Sequence, residues 1–179
     1  MTQEKIGLFG GTFDPPHRGH VAVVRAAWAT GWFDRIVVVV AGDPYRKSGQ
    51  RLVAPGVERL AQTRDIFAHE SFVEVSDREI RRSGPSYSFD TVNELLEEGC
   101  AVSLIVGADV ASSLASWWRA SELAALCDVV VVPRDSTKVP ALDGWRVRSI
   151  PMNLVNISSS LLRGDESPEQ RDDLFFGRD

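Results

Sequence analysis

Cysteine is scarce: Cys100 and Cys127 are the only two in 179 residues. Both stand beside apolar runs that read as buried strands, so a pair of buried cytoplasmic thiols is expected rather than a disulfide. Three histidines and two cysteines at no ligand spacing give no support for a structural zinc site. No apolar run approaches the roughly 20 residues that cross a bilayer. Met1–Lys5 lacks the basic-then-apolar order of a secretory signal, which points to the cytoplasm and away from membranes. An excess of basic charge is missing too: the net charge is −5, where a nucleic-acid partner would call for a basic footprint. Two common phosphate motifs are also absent. There is no Gly-x-x-x-x-Gly-Lys-Ser/Thr, and no Gly-x-Gly-x-x-Gly with an acidic residue closing the next strand.

What is present suits a single domain over residues 1–179, large enough to bury a proper core. Apolar runs alternate with amphipathic stretches, the pattern of an α/β fold with a doubly wound parallel sheet. Strands are expected at Ile6–Phe9, Arg35–Ala41, Ser71–Val75, Ala101–Val106, Val129–Val132 and Arg146–Ile150. Helices are expected at Gly19–Thr30, Val57–His69, Ser88–Glu98, a short one after Gly107-Ala108-Asp109, one closing at Glu122–Leu126, and Ser158–Arg163. Gly31 and Gly99 mark two helix ends, and Ser88 is the expected N-cap of its helix. Gly42–Pro55 and Arg78–Ser86 read as loops. The polar tail from about residue 165 is expected to be only partly ordered. In such sheets ligands bind beyond the carboxyl ends of the strands, where strand order reverses. The loops after Phe9, Val40, Val106 and Val132 should therefore converge on one crevice.

The string Gly10-Gly11-Thr12-Phe13-Asp14-Pro15-Pro16-His17-Arg18-Gly19-His20 ends the first strand and opens the first helix. Glycines let the main chain approach a ligand closely, and amides at a helix start favour anions. His17 and His20, three residues apart across Gly19, share one side of the helix entrance. Ile157-Ser158-Ser159-Ser160 is a helix start rich in donors, read alone as an ordinary capped helix and, beside the first string, as a candidate for holding an anion. Arg163 falls three and four residues past Ser160 and Ser159, where its fork can reach the same anion. Between these, Ser86-Tyr87-Ser88 precedes a helix whose N-terminus suits a small carboxylate. Trp117-Trp118 offers an aromatic face. As adjacent helical residues the two indoles would point about 100° apart. Trp28, Trp32 and Trp145 read as packing, and His69 as a surface helix residue.

The first string resembles the Gly-x-Phe-Asp-Pro-x-His-x-Gly-His signature of the nucleotidyltransferase superfamily, with a Rossmann-like fold. Class I aminoacyl-tRNA synthetases carry a related His-Ile-Gly-His, but this chain is far too short to be one. The serine-rich element is similar to that superfamily's Ile-Ser-Ser/Ala-Thr/Ser-x-x-Arg. Pro85-Ser86-Tyr87-Ser88, with serine for the usual threonine, resembles the Pro-Ser-Tyr-Thr of bacterial nicotinate mononucleotide adenylyltransferases. Gly107-Ala108-Asp109 with Trp117-Trp118 resembles the same family's Gly-x-Asp…Thr-Trp-Tyr/His. The resemblance runs from Lys5 to about Gly164 and departs at the C-terminus, where only Leu174-Phe175-Phe176 stands for a longer apolar helix.

This resemblance implies transfer of AMP from ATP to nicotinate mononucleotide, giving deamido-NAD and pyrophosphate. It implies catalytic roles for His17, His20 and Arg163. ATP would be held by Gly10, Gly11, Thr12, Phe13, Gly19, Gly107, Asp109, Ile157, Ser158, Ser159 and Ser160. The mononucleotide would be held by Lys47, Tyr87, Ser88, Trp117, Trp118 and Arg134, with Trp117 stacking on the pyridine ring and Trp118 packing. Mg²⁺ is implied with the ATP, held mostly by phosphate oxygens and water. The expected partners are these two substrates, with a homo-oligomer left open. The alternatives are another phosphate acceptor (nicotinamide mononucleotide or phosphopantetheine) and a non-catalytic nucleotide sensor.

Overall fold

The computed structural model describes residues 3–43, 53–133, 141–151 and 153. Strand β1 (Lys5–Gly11) leads into helix α1 (Arg18–Ala29), then β2 (Arg35–Val40), α2 (Gly56–Ile66) and β3 (Val73–Ser76). A one-turn helix, α3 (Arg78–Arg81), and the longer α4 (Ser88–Glu97) precede β4 (Ala101–Gly107). Then come α5 (Ala108–Ala111), a 3-10 turn at Leu114–Ser116, α6 (Ala120–Leu126), β5 (Asp128–Val132) and β6 (Val147–Ser149). The six strands make one sheet in the order β3-β2-β1-β4-β5-β6, and every neighbouring pair is parallel. This is the doubly wound α/β architecture that the alternation predicts. Strand order reverses between β1 and β4.

The period of two along each strand decides what lies on either side of the sheet. Ile36, Val38 and Val40 pack with Val21, Val24 and Ala27 of α1 and Leu60 of α2. Val37 and Val39 pack on the other face with Phe89, Val92 and Leu95 of α4 and Leu123 of α6. All five residues Ile36–Val40 are fully buried, each stabilising the fold by about 1.5–3 kcal/mol. That is why an unbroken apolar run, rather than an alternating one, encodes this interior strand. Trp28 stacks on Phe72 at 4.5 Å, Trp32 lies under the Arg148 guanidinium, and Trp145 packs on the α4 side. All three are packing residues, as expected. Cys100 and Cys127 are buried free thiols.

Several boundaries shift for identifiable reasons. Helix α1 begins at Arg18, with His17 extended as its N-cap (φ −147°, ψ 168°). Helix α2 stops at Ile66, so His69 lies in the exposed turn beyond it rather than on a helix. Ser88 is the first helical residue of α4 and not its cap. Tyr87 holds that position in extended conformation (φ −104°, ψ 129°), and its carbonyl accepts the amides of Asp90 and Thr91. Part of the stretch Arg78–Ser86 is helical rather than loop. An Asp77–Arg81 ion pair at 2.9 Å spans the turn of α3, which buries Glu79 and packs Ile80 against the core.

Candidate active site

The crevice opens where β1 and β4 part. Its lining includes Gly10 and Gly11 at the end of β1, Thr12 just after it, Ala41 after β2, Ser86 and Tyr87 before α4, Ser88 at its start, Gly107 at the end of β4, and Trp117 and Trp118. Three of the four expected loops therefore meet there. The fourth, after Val132, falls largely outside the described residues, as do Lys47, Arg134, Ile157, Ser158, Ser159, Ser160 and Arg163.

The loop from β1 to α1 is built on an aromatic base. Phe13 takes a left-handed conformation (φ 50°) that turns its ring inward, where it is buried. There it packs edge-on against Phe9 at 5.7 Å and against His20 at 4.9 Å. A non-glycine residue in that region costs of order 1–3 kcal/mol and persists only where packing over-determines it. Phe13 thus supports the loop from beneath and does not line the crevice. The amide of His17 donates to Nδ1 of His20 at 3.0 Å. That bond requires an unprotonated Nδ1 and so puts the ring proton of the neutral imidazole on Nε2. The two imidazoles stack at 3.8 Å and 25°. Gly19 makes room for them: a Cβ there would sit 3.0 Å from the His17 ring. The spacing His-x-Gly-His therefore yields one stacked pair at the helix entrance. The pair stands outside the residues lining the crevice, at the start of α1 where the loop out of it ends.

The opposite wall comes from α4 and the turn before α6. Because Tyr87 and not Ser88 caps α4, Ser88 is the first residue of the helix and lines the crevice at its N-terminus. Trp117 and Trp118 are not helical. They occupy the turn between the 3-10 segment and α6, with Trp117 extended (φ −75°, ψ 155°) and Arg119 left-handed (φ 53°). Trp117 packs on the core, and its indole N–H donates to Ser113 Oγ at 3.3 Å. Trp118 is 53% exposed and stacks on Tyr87 at 5.2 Å. The Arg119 guanidinium lies 3.9 Å over the Phe89 ring, tying this turn to the first turn of α4. Asp109 sits in the first turn of α5, and its carboxylate folds back toward Gly107, where a Cβ would lie 2.5 Å from Oδ1.

Three groups escaped the sequence reading. Ser86 Oγ accepts the amides of Gly42 (2.9 Å) and Asp43 (3.2 Å), while the Ser86 amide donates to the Asp43 carbonyl. The loop after β2 and the loop before α4 are thereby laced together. Glu79 is buried at the crevice edge. Burial pushes its pKa up, against hydrogen bonds from the Thr91 and Ser86 hydroxyls and the nearby Arg82 charge. Arg59 is 1% exposed and, among the described residues, donates only to carbonyls: Thr12 at 2.6 Å, Ala54 at 2.7 Å and Gly42 at 3.3 Å. The one signal for Arg59 was its place beside Leu60 and four residues before Thr63, on the buried face of α2.

A cytidylyltransferase-like family model matches residues 8–165. A probable nicotinate-nucleotide adenylyltransferase of Dehalococcoides mccartyi is 34% identical over 91% of this chain and 85% of its own length. Another with that name, from Albidiferax ferrireducens, is 40% identical over 89% and 84%. Among solved structures, the nicotinic acid mononucleotide adenylyltransferase of Plasmodium falciparum complexed with NaAD superposes with a TM-score of 0.68. It is 19% identical, covering 90% of this chain and 83% of that one, a likeness of fold.

Proposed function

The chain belongs to the cytidylyltransferase-like family and, within it, to the nicotinate-nucleotide adenylyltransferases; on that premise we propose that it transfers the AMP moiety of ATP to nicotinate mononucleotide, giving deamido-NAD and pyrophosphate in NAD biosynthesis. The acceptor's phosphate oxygen attacks the α-phosphorus, a new P–O bond forms, and the α–β bridge breaks to release pyrophosphate. The attacking oxygen is already anionic, so no general base is needed. Catalysis reduces to alignment and to stabilising charge as it moves.

The observation that carries this reading is one crevice with two chemistries on its walls. Gly10, Gly11 and Thr12 offer a bare main chain on one side, and Ser88 at a helix N-terminus with two tryptophans faces it. ATP phosphates suit the first wall, with His17 and His20 as donors and not proton shuttles. The Nε2 proton left by the His17–His20 bond fits that role. The pyridine carboxylate suits the amides and hydroxyl at the start of α4. Its ring suits Trp117, beside the Tyr87–Trp118 stack. Ser158, Ser159, Ser160 and Arg163 complete the grip on the β- and γ-phosphates in this reading, Gly107 and Asp109 meet the ribose, and Lys47 and Arg134 serve the acceptor phosphate.

No three of His, Cys, Asp and Glu cluster as a metal cage among the described residues. Such a sparse donor set fits Mg²⁺ carried in on the nucleotide, where it would neutralise phosphate charge while this chain's amides and imidazoles orient the oxygens. We place the reaction in the cytoplasm, in keeping with two unpaired thiols; no described helix is long and apolar enough to cross a membrane.

The test is pyrophosphate release from ATP and Mg²⁺ with nicotinate mononucleotide, nicotinamide mononucleotide or phosphopantetheine as acceptor. Release with the first is expected. Release with only one of the others would overturn the acceptor assignment, and release with none would favour a nucleotide sensor. His20→Ala should cut turnover by about 10²–10³, as loss of one preorganised donor does elsewhere.

A further inference from the structure

Arg59 is the largest fully buried side chain among the described residues, and no carboxylate lies within ion-pair distance of it there. Asp14 acts on it only at longer range, while burial pulls its pKa down. Burying an unpaired charge is costly, so a position that keeps one must gain by its geometry. The guanidinium is planar with five fixed donors. Here it spends them on three carbonyls from three separate segments: the β1–α1 loop, the turn after β2, and the residue two before α2.

The shortest bond goes to Thr12, which lines the crevice immediately before the left-handed Phe13. Fixing the Thr12 carbonyl fixes the plane of the Thr12–Phe13 peptide, and with it the course of the chain from β1 into the histidine pair. A peptide held on its inner side keeps the loop's open side in one orientation before any ligand arrives. The Gly42 bond adds the loop that Ser86 laces to α4.

We propose that Arg59 is a positioning residue for the nucleotide-binding loop, holding Thr12 and the turn into His17 in the conformation that receives the triphosphate. This rests on the adenylyltransferase reading. Arg59 makes its strongest loop contact on the nucleotide side, so its loss should weaken handling of ATP far more than handling of the acceptor.

The experiment uses full-length Arg59→Met and Arg59→Lys. Readouts are melting temperature, affinity for a non-hydrolysable ATP analogue by calorimetry, and separate KM values for ATP and nicotinate mononucleotide with kcat. Arg59→Met should lower kcat by about 100-fold, as small misplacements near reacting groups do. Analogue affinity should fall by roughly tenfold or more, the value of a lost charged hydrogen bond, while the acceptor KM stays within about twofold. Arg59→Lys keeps the charge but cannot span three carbonyls, so it should recover only part of the loss, remaining about threefold weaker than the parent for the analogue. If Arg59→Met does not fold, the lysine variant decides alone. Equal rises in both KM values would make Arg59 a plain structural bolt, and full recovery by lysine would make charge rather than geometry its contribution. Either result overturns the proposal. Should the parent release no pyrophosphate with any acceptor, the adenylyltransferase reading fails, while the analogue affinities still judge Arg59.

Discussion

Gly42→Ala should destabilise the fold, whereas Gly10→Ala should spare the fold and damage the reaction. A Cβ on Gly42 would lie 2.9 Å from the Glu79 carbonyl carbon and 3.0 Å from Ile80 Cα, and nearer still to the Glu79 oxygen. Carbon atoms pack comfortably at about 3.5–4.0 Å, so α3 must retreat by roughly half an ångström or more. The obstacle is backbone, which cannot rotate away as a side chain would. Overpacking of this kind costs about 1–3 kcal/mol. The retreat also stretches the bonds from Gly42 to Ser86 and from Arg59 to Gly42, each contributing about 0.5–1.5 kcal/mol. A total of about 2–6 kcal/mol corresponds to a fall of ~4–24 °C in melting temperature for a domain of this size.

At Gly10 a Cβ meets nothing within 4 Å, and the methyl would project into space that the proposed reaction needs for phosphate. Alanine in a strand regains about 0.5–1 kcal/mol over glycine, so Gly10→Ala should melt at or slightly above the parent while its pyrophosphate release collapses. Thermal melts by circular dichroism and the release assay, run on both variants, separate the two effects. A Gly42→Ala protein melting within about 2 °C of the parent would refute the packing argument. Full turnover by Gly10→Ala would refute close approach of the phosphates to β1.

Burial pushes the Cys127 thiol up to about 12 and raises Cys100 as well. At pH 8 neither should react with a disulfide reagent in the folded protein, and both should react after denaturation; prompt reaction of either in the native state contradicts the packing. Glu79 has a folded pKa above the unfolded value of 4.5, so its contribution to stability is present below that value and lost as pH rises through the folded pKa. Glu79→Gln should therefore gain in melting temperature relative to the parent between pH 4 and pH 8, and a difference that ignores pH would count against this account. Trp117→Ala should raise the acceptor KM by roughly tenfold or more, in line with aromatic stacking worth about 1–3 kcal/mol. Trp118→Ala should chiefly forfeit the Tyr87 stack, about 0.5–1.5 kcal/mol of stability. The reverse ranking of the two KM values would move the ring-binding role to Trp118.

Strands were legible wherever period and composition agreed. Arg35–Val40 could be little else, and once β1 and β4 were placed the crevice followed from general rules for parallel sheets. The histidine motif was legible because its chemistry is local: His17, Gly19 and His20 lie within one turn, and their stack needs nothing from elsewhere. Arg59 was not legible, because its partners lie 47 and 17 positions away and five positions away on the chain, and an arginine on a helix reads as solvated until its surroundings are known. Glu79 was hidden similarly, in a charged stretch that looks like surface loop. The tryptophan turn was misread as helix because its direction is set by a left-handed Arg119 held against Phe89 and Glu122, a tertiary arrangement without a local signature.

The order of strands in the sheet also sets an order in time. Strand β1 has β2 on one side and β4 on the other, and Lys5 pairs with Ala101. During synthesis the first neighbour emerges soon after β1, but the second follows roughly 100 residues later, a delay of ~5–20 s at 5–20 residues per second. Through that interval the nascent chain presents one unpaired edge of a strand carrying Ile6 and Leu8, beside the valines of β2. Such an edge invites pairing with other chains unless something shields it. The segment that meets the nucleotide in our proposal is thus made well before the strand that encloses it on its second side. A chain interrupted before Leu104 would hold Gly10–Thr12 and Ser86–Ser88 but lack Gly107, Trp117 and Trp118, and so could not close the crevice.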